Sequence, residues 1–144
     1  MINALFWNIR GVVKASHFRR LRKFVVSHHI QLLVLCEMHV QLSLAEEFRA
    51  KLKFDHVLSQ SEGLLSVFYN SPFCCSILGE GNQFLSLSIQ HPGLVSSISF
   101  SAVHAASTTE ERRALWAGLL QCKPSLGPWL MCGDFNAIIG EEEK

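Results

Sequence analysis

Asp134 and Asn136 stand in Gly133-Asp134-Phe135-Asn136, directly after the apolar stretch Trp129-Leu130-Met131-Cys132, and the same arrangement occurs twice earlier in the chain. Asn8 follows Phe6-Trp7, and Glu37 follows Leu35-Cys36. Each is a polar side chain placed where an apolar strand should emerge from a sheet, and strand ends are where loops build sites on a rigid base. Two carboxylates and two carboxamides meeting there would suit one hard cation. Magnesium prefers oxygen ligands, typically about one or two protein carboxylates, with water and substrate phosphate completing its shell. The second carboxylate could orient or deprotonate a water while the amides donate to phosphate or steady a carboxylate. Spacing alone leaves a plainer alternative open, in which Asp134 and Asn136 form an Asx turn and Glu37 caps a loop.

These residues need a frame that brings strand ends together. The apolar runs Ile2 to Asn8 and Gln31 to Cys36 read as buried strands, and the segment between them reads as a helix. Ser16 is its expected N-cap, and Phe18, Leu21, Phe24 and Val25 recur at helical spacing, leaving Arg19, Arg20, Arg22 and Lys23 as a solvated face. Strand, helix, strand in this order predicts an α/β crossover with a sheet buried on at least one face. Ser43 to Lys53 is a second expected helix, with Ser43 and Glu46 at capping-box spacing and Leu44, Phe48 and Leu52 inward.

Strand-like pieces then follow at Asp55 to Leu58, Leu64 to Tyr69, Phe73 to Leu78 and Phe84 to Gln90, punctuated by Gly63, Asn70-Ser71-Pro72 and Gly79-Glu80-Gly81-Asn82. Such short spacing favours antiparallel hairpins. Within Leu94 to His104, Ile98, Phe100 and Ala102 alternate with serines, and His104 falls on the apolar side, where an isolated histidine ordinarily reads as a core residue. The third helix is expected over Ser107 to Gln121, capped by Ser107 with Glu110 or by Thr108 with Glu111, and buried through Leu115, Leu119 and Leu120. Trp116 and Trp129 read as core anchors.

Composition narrows the class. The chain has 144 residues, 49% hydrophobic and 17% charged, which predicts a single packed domain over residues 1–144 rather than a disordered tail. A formal net charge of +1 excludes strong attraction to nucleic acid through overall charge. The five cysteines (Cys36, Cys74, Cys75, Cys122, Cys132) show no zinc-type spacing and read as free thiols. Ile2 to Trp7 is too short for a signal peptide, and no apolar run approaches the roughly 18 residues of a membrane span. The expectation is an intracellular protein, nuclear or cytoplasmic, without a membrane partner.

Four segments in order carry a resemblance: Trp7-Asn8-Ile9-Arg10-Gly11, Leu35-Cys36-Glu37, Arg112-Arg113-Ala114-Leu115-Trp116, and Pro128-Trp129-Leu130-Met131-Cys132-Gly133-Asp134-Phe135-Asn136. Together they resemble the endonuclease/exonuclease/phosphatase superfamily, and most nearly the endonuclease domain of plant non-LTR (LINE-type) retrotransposons. The resemblance implies an α/β four-layer sandwich of deoxyribonuclease-I type, with two packed, mostly antiparallel or mixed sheets and outer helices. It implies hydrolysis of DNA phosphodiesters with Mg²⁺ or Mn²⁺ and no small-molecule cofactor. By position, Glu37 would be the metal ligand, Asn8 would support metal or phosphate, Asp134 would activate water, and Asn136 would hold Asp134 or the scissile phosphate. His104 sits where the family often carries a phosphate-binding tyrosine, and Arg112-Arg113 falls near the substrate groove or in solvent.

Two departures accompany it. Met38-His39 follows Glu37 where the family pattern has Thr-Lys, and no counterpart of the family's C-terminal Ser-Asp-His motif can be assigned. The expectation is therefore the N-terminal two-thirds of such a domain, with an incomplete second sheet, an uncovered sheet edge and weak or absent nicking. The alternative is a non-catalytic, degenerate retroelement-derived fragment or interaction module. A phosphatase acting on inositol phosphates or lipids is a third reading, for which no substrate pocket is apparent.

Overall fold

The computed structural model describes residues 1–10, 15–38 and 42–137. Readings that rest on Gly11, on His39 or on the side chain of Ser43 lie outside the described residues. Strands Ala4–Asn8 (β1), Leu32–Cys36 (β2), His56–Ser59 (β3) and Leu65–Tyr69 (β4) form one sheet in the order β1-β2-β4-β3. Strands Cys74–Gly81 (β5), Phe84–Gln90 (β6), Ile98–His104 (β7) and Trp129–Asp134 (β8) form the other in the order β5-β6-β7-β8. Helices Ala15–Ser27 (α1) and Leu42–Leu52 (α2) pack on the outer face of the first sheet, and Thr109–Gln121 (α3) on that of the second. The result is the expected α/β four-layer sandwich.

Why β2 is an unbroken apolar run is now clear. Leu32, Val34 and Cys36 face the other sheet, while Leu33 and Leu35 face α1 and α2, so all five residues are buried. A strand with solvent on one face would instead alternate apolar and polar residues. Across the sheet interface, Val34, Cys36, Leu65 and Val67 meet Leu85, Leu87, Phe100 and Ala102. On the serine face of β7, Ser101 is buried beside Ser86 of β6. Ser101 and Ser86 share a 2.7 Å hydrogen bond, and Trp129 Nε1 donates to Ser101 Oγ at 3.0 Å. Satisfied hydroxyls can be buried at little cost.

Two strand pairs are parallel. β1 runs with β2, aligning Asn8 with Cys36, and β7 runs with β8, aligning His104 with Asp134. The remaining pairs are antiparallel. β1 and β8 are edge strands, and on β8 Leu130 and Met131 are exposed. Among the described residues the second sheet has four strands, as many as the first.

Several local expectations need correction. Ser16 lies within α1 and cannot be its N-cap, and Ser43 likewise lies within α2, where Glu46 pairs with Arg49 at 2.6 Å. The buried face of α2 runs through Ala45 and Leu52, with Leu44 exposed. In α3 the cap is Thr108, whose hydroxyl accepts from Glu111 N–H; Leu115 and Leu119 are buried, but Leu120 is 66% exposed. Trp116 is not a core anchor: it is 42% exposed and stacks on Phe135, ring centroids 6.2 Å apart. Trp129 is half-buried. Gly79 to Gly81, read as part of a turn, belongs to β5, whose register shifts between Ile77 and Gly79. Gly79 passes so near α3 that a Cβ there would lie 2.6 Å from Cys122 Sγ.

The inter-sheet layer should dominate stability. Leu87 has no exposed surface, so Leu87→Ala is expected to cost about 2–5 kcal/mol, read as a lowered urea midpoint with an unchanged slope.

Candidate active site

Because both parallel pairs point their carboxyl ends the same way, Asn8, Glu37, His104 and Asp134 collect at one end of the sandwich. Asn8 ends β1, and its Nδ2 donates to Glu37 Oε1 at 2.7 Å. Its Oδ1 accepts from the Arg10 backbone N–H at 2.9 Å, so both ends of the carboxamide are engaged. Glu37 follows β2 directly in a left-handed conformation, with φ 58°. Such a backbone costs a residue other than glycine about 1–3 kcal/mol and persists only where its surroundings enforce it. Here the next residue, Met38, is fully buried against Leu33, Leu35 and Phe68, and its N–H reaches Leu64 O at 3.4 Å. The residue that departs from the family pattern is thus a core anchor that holds the Glu37 turn.

The second sheet supplies the rest. His104 Nε2 lies 3.6 Å from Glu37 Oε1, linking the ends of β2 and β7. Its Nδ1 is buried without a hydrogen-bond partner among the described residues. On β8, Asp134 Oδ1 accepts from Asn136 N–H at 2.9 Å, which is the Asx turn anticipated from sequence. The turn is nevertheless no ordinary surface loop. Asp134 O accepts from Ala105 N–H at 2.8 Å, and Asn136 Nδ2 donates to Ala105 O at 2.6 Å. Side-chain contacts thus join Asn8, Glu37 and His104, the Asx turn joins Asp134 and Asn136, and backbone pairing of β7 with β8 sets the two groups side by side.

Sequence reading missed the residues that hold this set. Arg112 is half-buried beside the groove-lining Asn136: its Nη1 donates to Ala106 O, Ser107 O and Asn136 O at 2.8–3.0 Å, and its Nη2 to Thr109 Oγ1 at 3.1 Å. It clamps the Asp134 turn to the start of α3. Buried Gln83 fixes the same connection, accepting from Ala106 N–H at 2.7 Å and donating to Glu111 O at 3.0 Å. Their acceptors and donors are mostly backbone groups, so pattern in the sequence could not have revealed them.

Both carboxylates act on the buried thiol of β2. The Cys36 thiol is pushed up to about 12 by burial, and then by the negative charges of Glu37 and Asp134. Beyond them an open groove of about 690 Å³ runs past Phe6, Asp134, Phe135 and Asn136. Among the described residues no three His, Cys, Asp or Glu side chains cluster as a metal cage. An all-oxygen set of Glu37, Asp134 and the Asn8 carboxamide fits magnesium or manganese, which leave positions to water and phosphate, better than zinc with its closed nitrogen and sulfur shell.

Solved structures share this architecture. The chain matches the endonuclease domain of TRAS1, a telomere-specific non-LTR retrotransposon, with TM-score 0.69 and 12% identity over 96% of this chain and 62% of that one. It matches D. rerio TDP2 complexed with single-strand DNA product with TM-score 0.70 and 14% identity, over 95% and 61% respectively. An endonuclease/exonuclease/phosphatase family protein from Bacteroides thetaiotaomicron matches with TM-score 0.58 and 12% identity, over 94% and 63%. The chain thus has the deoxyribonuclease-I-like fold of endonuclease/exonuclease/phosphatase proteins, and it spans about three-fifths of the length of these structures. No protein-family model matches the sequence, and no curated protein does. No helix among the described residues is long and apolar enough to cross a membrane.

Two outcomes follow from this geometry. Gly133 passes so close to β7 that an added Cβ would lie 1.9 Å from Val103 O. Gly133→Ala should therefore displace the Asp134 turn and destabilise the fold by about 1–3 kcal/mol in urea unfolding. In the native protein at pH 8, Cys36 should resist iodoacetamide while exposed Cys74 is alkylated, as read by mass spectrometry.

Proposed function

We propose that this chain carries the active site of a metal-dependent phosphodiesterase that cleaves DNA, of the kind found in LINE-type retrotransposon endonucleases. The observation that carries the reading is the grouping of Asn8, Glu37 and His104 beside Asp134 and Asn136, formed by strand ends of two different sheets. The fold shared with the TRAS1 endonuclease domain and with TDP2 supports it.

In this reading Glu37 holds the cation, and Asn8 fixes the carboxylate through its 2.7 Å hydrogen bond. Bound there, Mg²⁺ or Mn²⁺ supplies positive charge to the phosphate oxygens. Asp134, aimed by the Asn136 N–H and by the Arg112 clamp, orients a water and takes its proton as the oxygen attacks phosphorus. The bond from phosphorus to the leaving oxygen breaks, that oxygen acquires a proton, and no covalent enzyme intermediate forms. His104 donates to a phosphate oxygen. Asn136 holds the Asp134 turn through one Nδ2 hydrogen bond to Ala105 O, which leaves its second N–H for a phosphate oxygen.

Cleavage by these groups alone should be weak, because stabilising the developing phosphorane-like charge takes several donors acting together. The expected result is slow, EDTA-sensitive nicking of supercoiled plasmid, with Asp134→Asn reducing it by about 10²-fold or more. Nicking that survives EDTA or the substitution would contradict the assignment.

The reading of this chain as a non-catalytic interaction module draws on one observation, the exposed Leu130 and Met131 on edge strand β8. It predicts no nicking by wild type under any divalent cation.

A further inference from the structure

The two sheets face each other through apolar side chains along most of their length. Among the described residues, polar contacts between them lie only at the end that carries the candidate site, and they are Glu37 with His104, Gln60 with Gly81, and Ser61 with Glu80. The first joins two residues of that site. The other two lie at the edges formed by β3 and β5, where the turn after β3 meets the end of β5.

Gln60 sits oddly for a polar residue. It is 1% exposed and stands two residues after Leu58, which packs into the layer between the sheets. Its main chain is fully engaged: N–H donates to Leu65 O and O accepts from Gly63 N–H, both at 2.9 Å, with Gly63 closing the turn at φ 74°. The side chain is only half engaged. Gly81 O can only accept, so the nitrogen of the Gln60 carboxamide must face it, and Oε1 is left buried without a partner among the described residues. Desolvating that oxygen offsets what the Nε2 hydrogen bond contributes, so an apolar side chain of the same length would serve stability as well. The distinctive property of Gln60 is what it holds.

It holds a turn from which the second sheet's share of the site hangs. Just after Gly81, Gln83 O accepts from His104 N–H at 2.8 Å, and the Gln83 side chain bonds Ala106 N–H and Glu111 O. On the first sheet, Leu64 O of the Gln60 turn accepts from the N–H of Met38, the anchor beside Glu37. The contacts close a ring that runs from Glu37 through Met38 and Leu64 to Gln60, crosses to Gly81 and Gln83, and returns through His104 to Glu37 at 3.6 Å. Ser61 braces the crossing from outside, its hydroxyl and its N–H, the latter at 3.4 Å, both donating to Glu80 Oε1. Apolar packing is non-directional, whereas a hydrogen bond fixes both distance and direction.

We propose that Gln60 is a positioning residue of the active site: it ties the Gly81–Gln83 turn to the first sheet, with Ser61 and Glu80 beside it, and so sets how far His104 lies from Glu37. Its effect on catalysis rests on the phosphodiesterase reading, and its effect on the spacing does not.

Nuclear Overhauser effects between the His104 ring and the Glu37 side chain, recorded on the full chain, read that spacing directly. Urea unfolding and metal-dependent plasmid nicking are measured on the same proteins. Gln60→Met should unfold at the wild-type urea midpoint or above it and weaken these effects by about twofold or more, while kcat for nicking falls about tenfold and KM stays within about twofold. Ser61→Ala should act in the same direction by less. Asp55→Ala removes a 2.8 Å hydrogen bond from Ser71 N–H at the opposite end of the first sheet, and should lower the urea midpoint without changing the His104–Glu37 effects.

Wild-type Overhauser effects in Gln60→Met would overturn the proposal. So would an equal weakening in Asp55→Ala, the mark of general loosening, or a loss of nicking in Gln60→Met that only tracks its unfolded fraction. Should Gln60→Met fail to fold, Ser61→Ala decides by the same effects: weakened, they support the proposal; unchanged, they overturn it. If the spacing responds as stated while wild type nicks DNA with no divalent cation, the hydrolytic reading fails and Gln60 remains the residue that sets the Glu37–His104 spacing.

Discussion

One apolar layer between two sheets governs everything else in this molecule. Val34 and Cys36 of β2 and Val67 of β4 are packed against Leu87, Phe100 and Ala102 of the opposite sheet. That contact sets how far one sheet can slide over the other. The distance matters because the ends of β2 and β7 must meet: Glu37 and His104 belong to different sheets and approach to 3.6 Å. A one-residue slip of either strand would turn its inward side chains outward and move the polar residue at its end to the wrong face. The chemistry is thus positioned by burial of residues that take no part in it.

Against that frame the polar groups are held with little freedom. Asn8 has both ends of its carboxamide engaged, and Asn136 its amide nitrogen. Asn8 ties Glu37 to the Arg10 turn, and Asn136 ties the Asp134 turn to Ala105. Arg112 adds a guanidinium that spans the start of α3 and the carbonyl of Asn136. Of the five left-handed non-glycine residues among those described, Arg10, Glu37 and Asn136 lie in this region, while His29 and Lys53 follow helices α1 and α2. Strain concentrated where side chains must point in uncommon directions is what a preorganised site requires, and the buried neighbours Met38 and Leu33 make it tolerable.

How much of this was legible beforehand follows from what each feature depends on. β2 and β6 are apolar enough that their existence and extent are local properties, and Phe84–Gln90 falls where the sequence pattern put it. The strand ends were readable because a polar residue after an apolar run is itself a signal, strengthened by the order of four motifs. Helix faces were less legible. Leu44 and Leu120 have apolar neighbours at helical spacing, yet the sheets beneath bury Ala45 in place of Leu44 and, of the expected Leu119 and Leu120, Leu119 alone. Trp116 looked like core and lies beside Phe135 at the surface, because α3 turns that face away from its sheet. The Gly79 bulge depends on the nearness of α3, and the roles of Arg112 and Gln83 depend on backbone groups that only the folded chain brings within reach. None of these has a counterpart in the linear pattern.

The central proposal is that strand ends from two sheets make one centre in which Glu37 holds a cation beside the water-activating Asp134. Its most direct test is Mn²⁺ titration followed by paramagnetic broadening of backbone amide NMR signals. The account predicts simultaneous loss of the Asn8, Glu37, His104 and Asp134 signals at low Mn²⁺, abolished by Glu37→Gln in a protein whose remaining spectrum is unchanged. Broadening that centres instead on surface acids such as Glu46, Glu47 and Glu110, or that persists undiminished in Glu37→Gln, would contradict it.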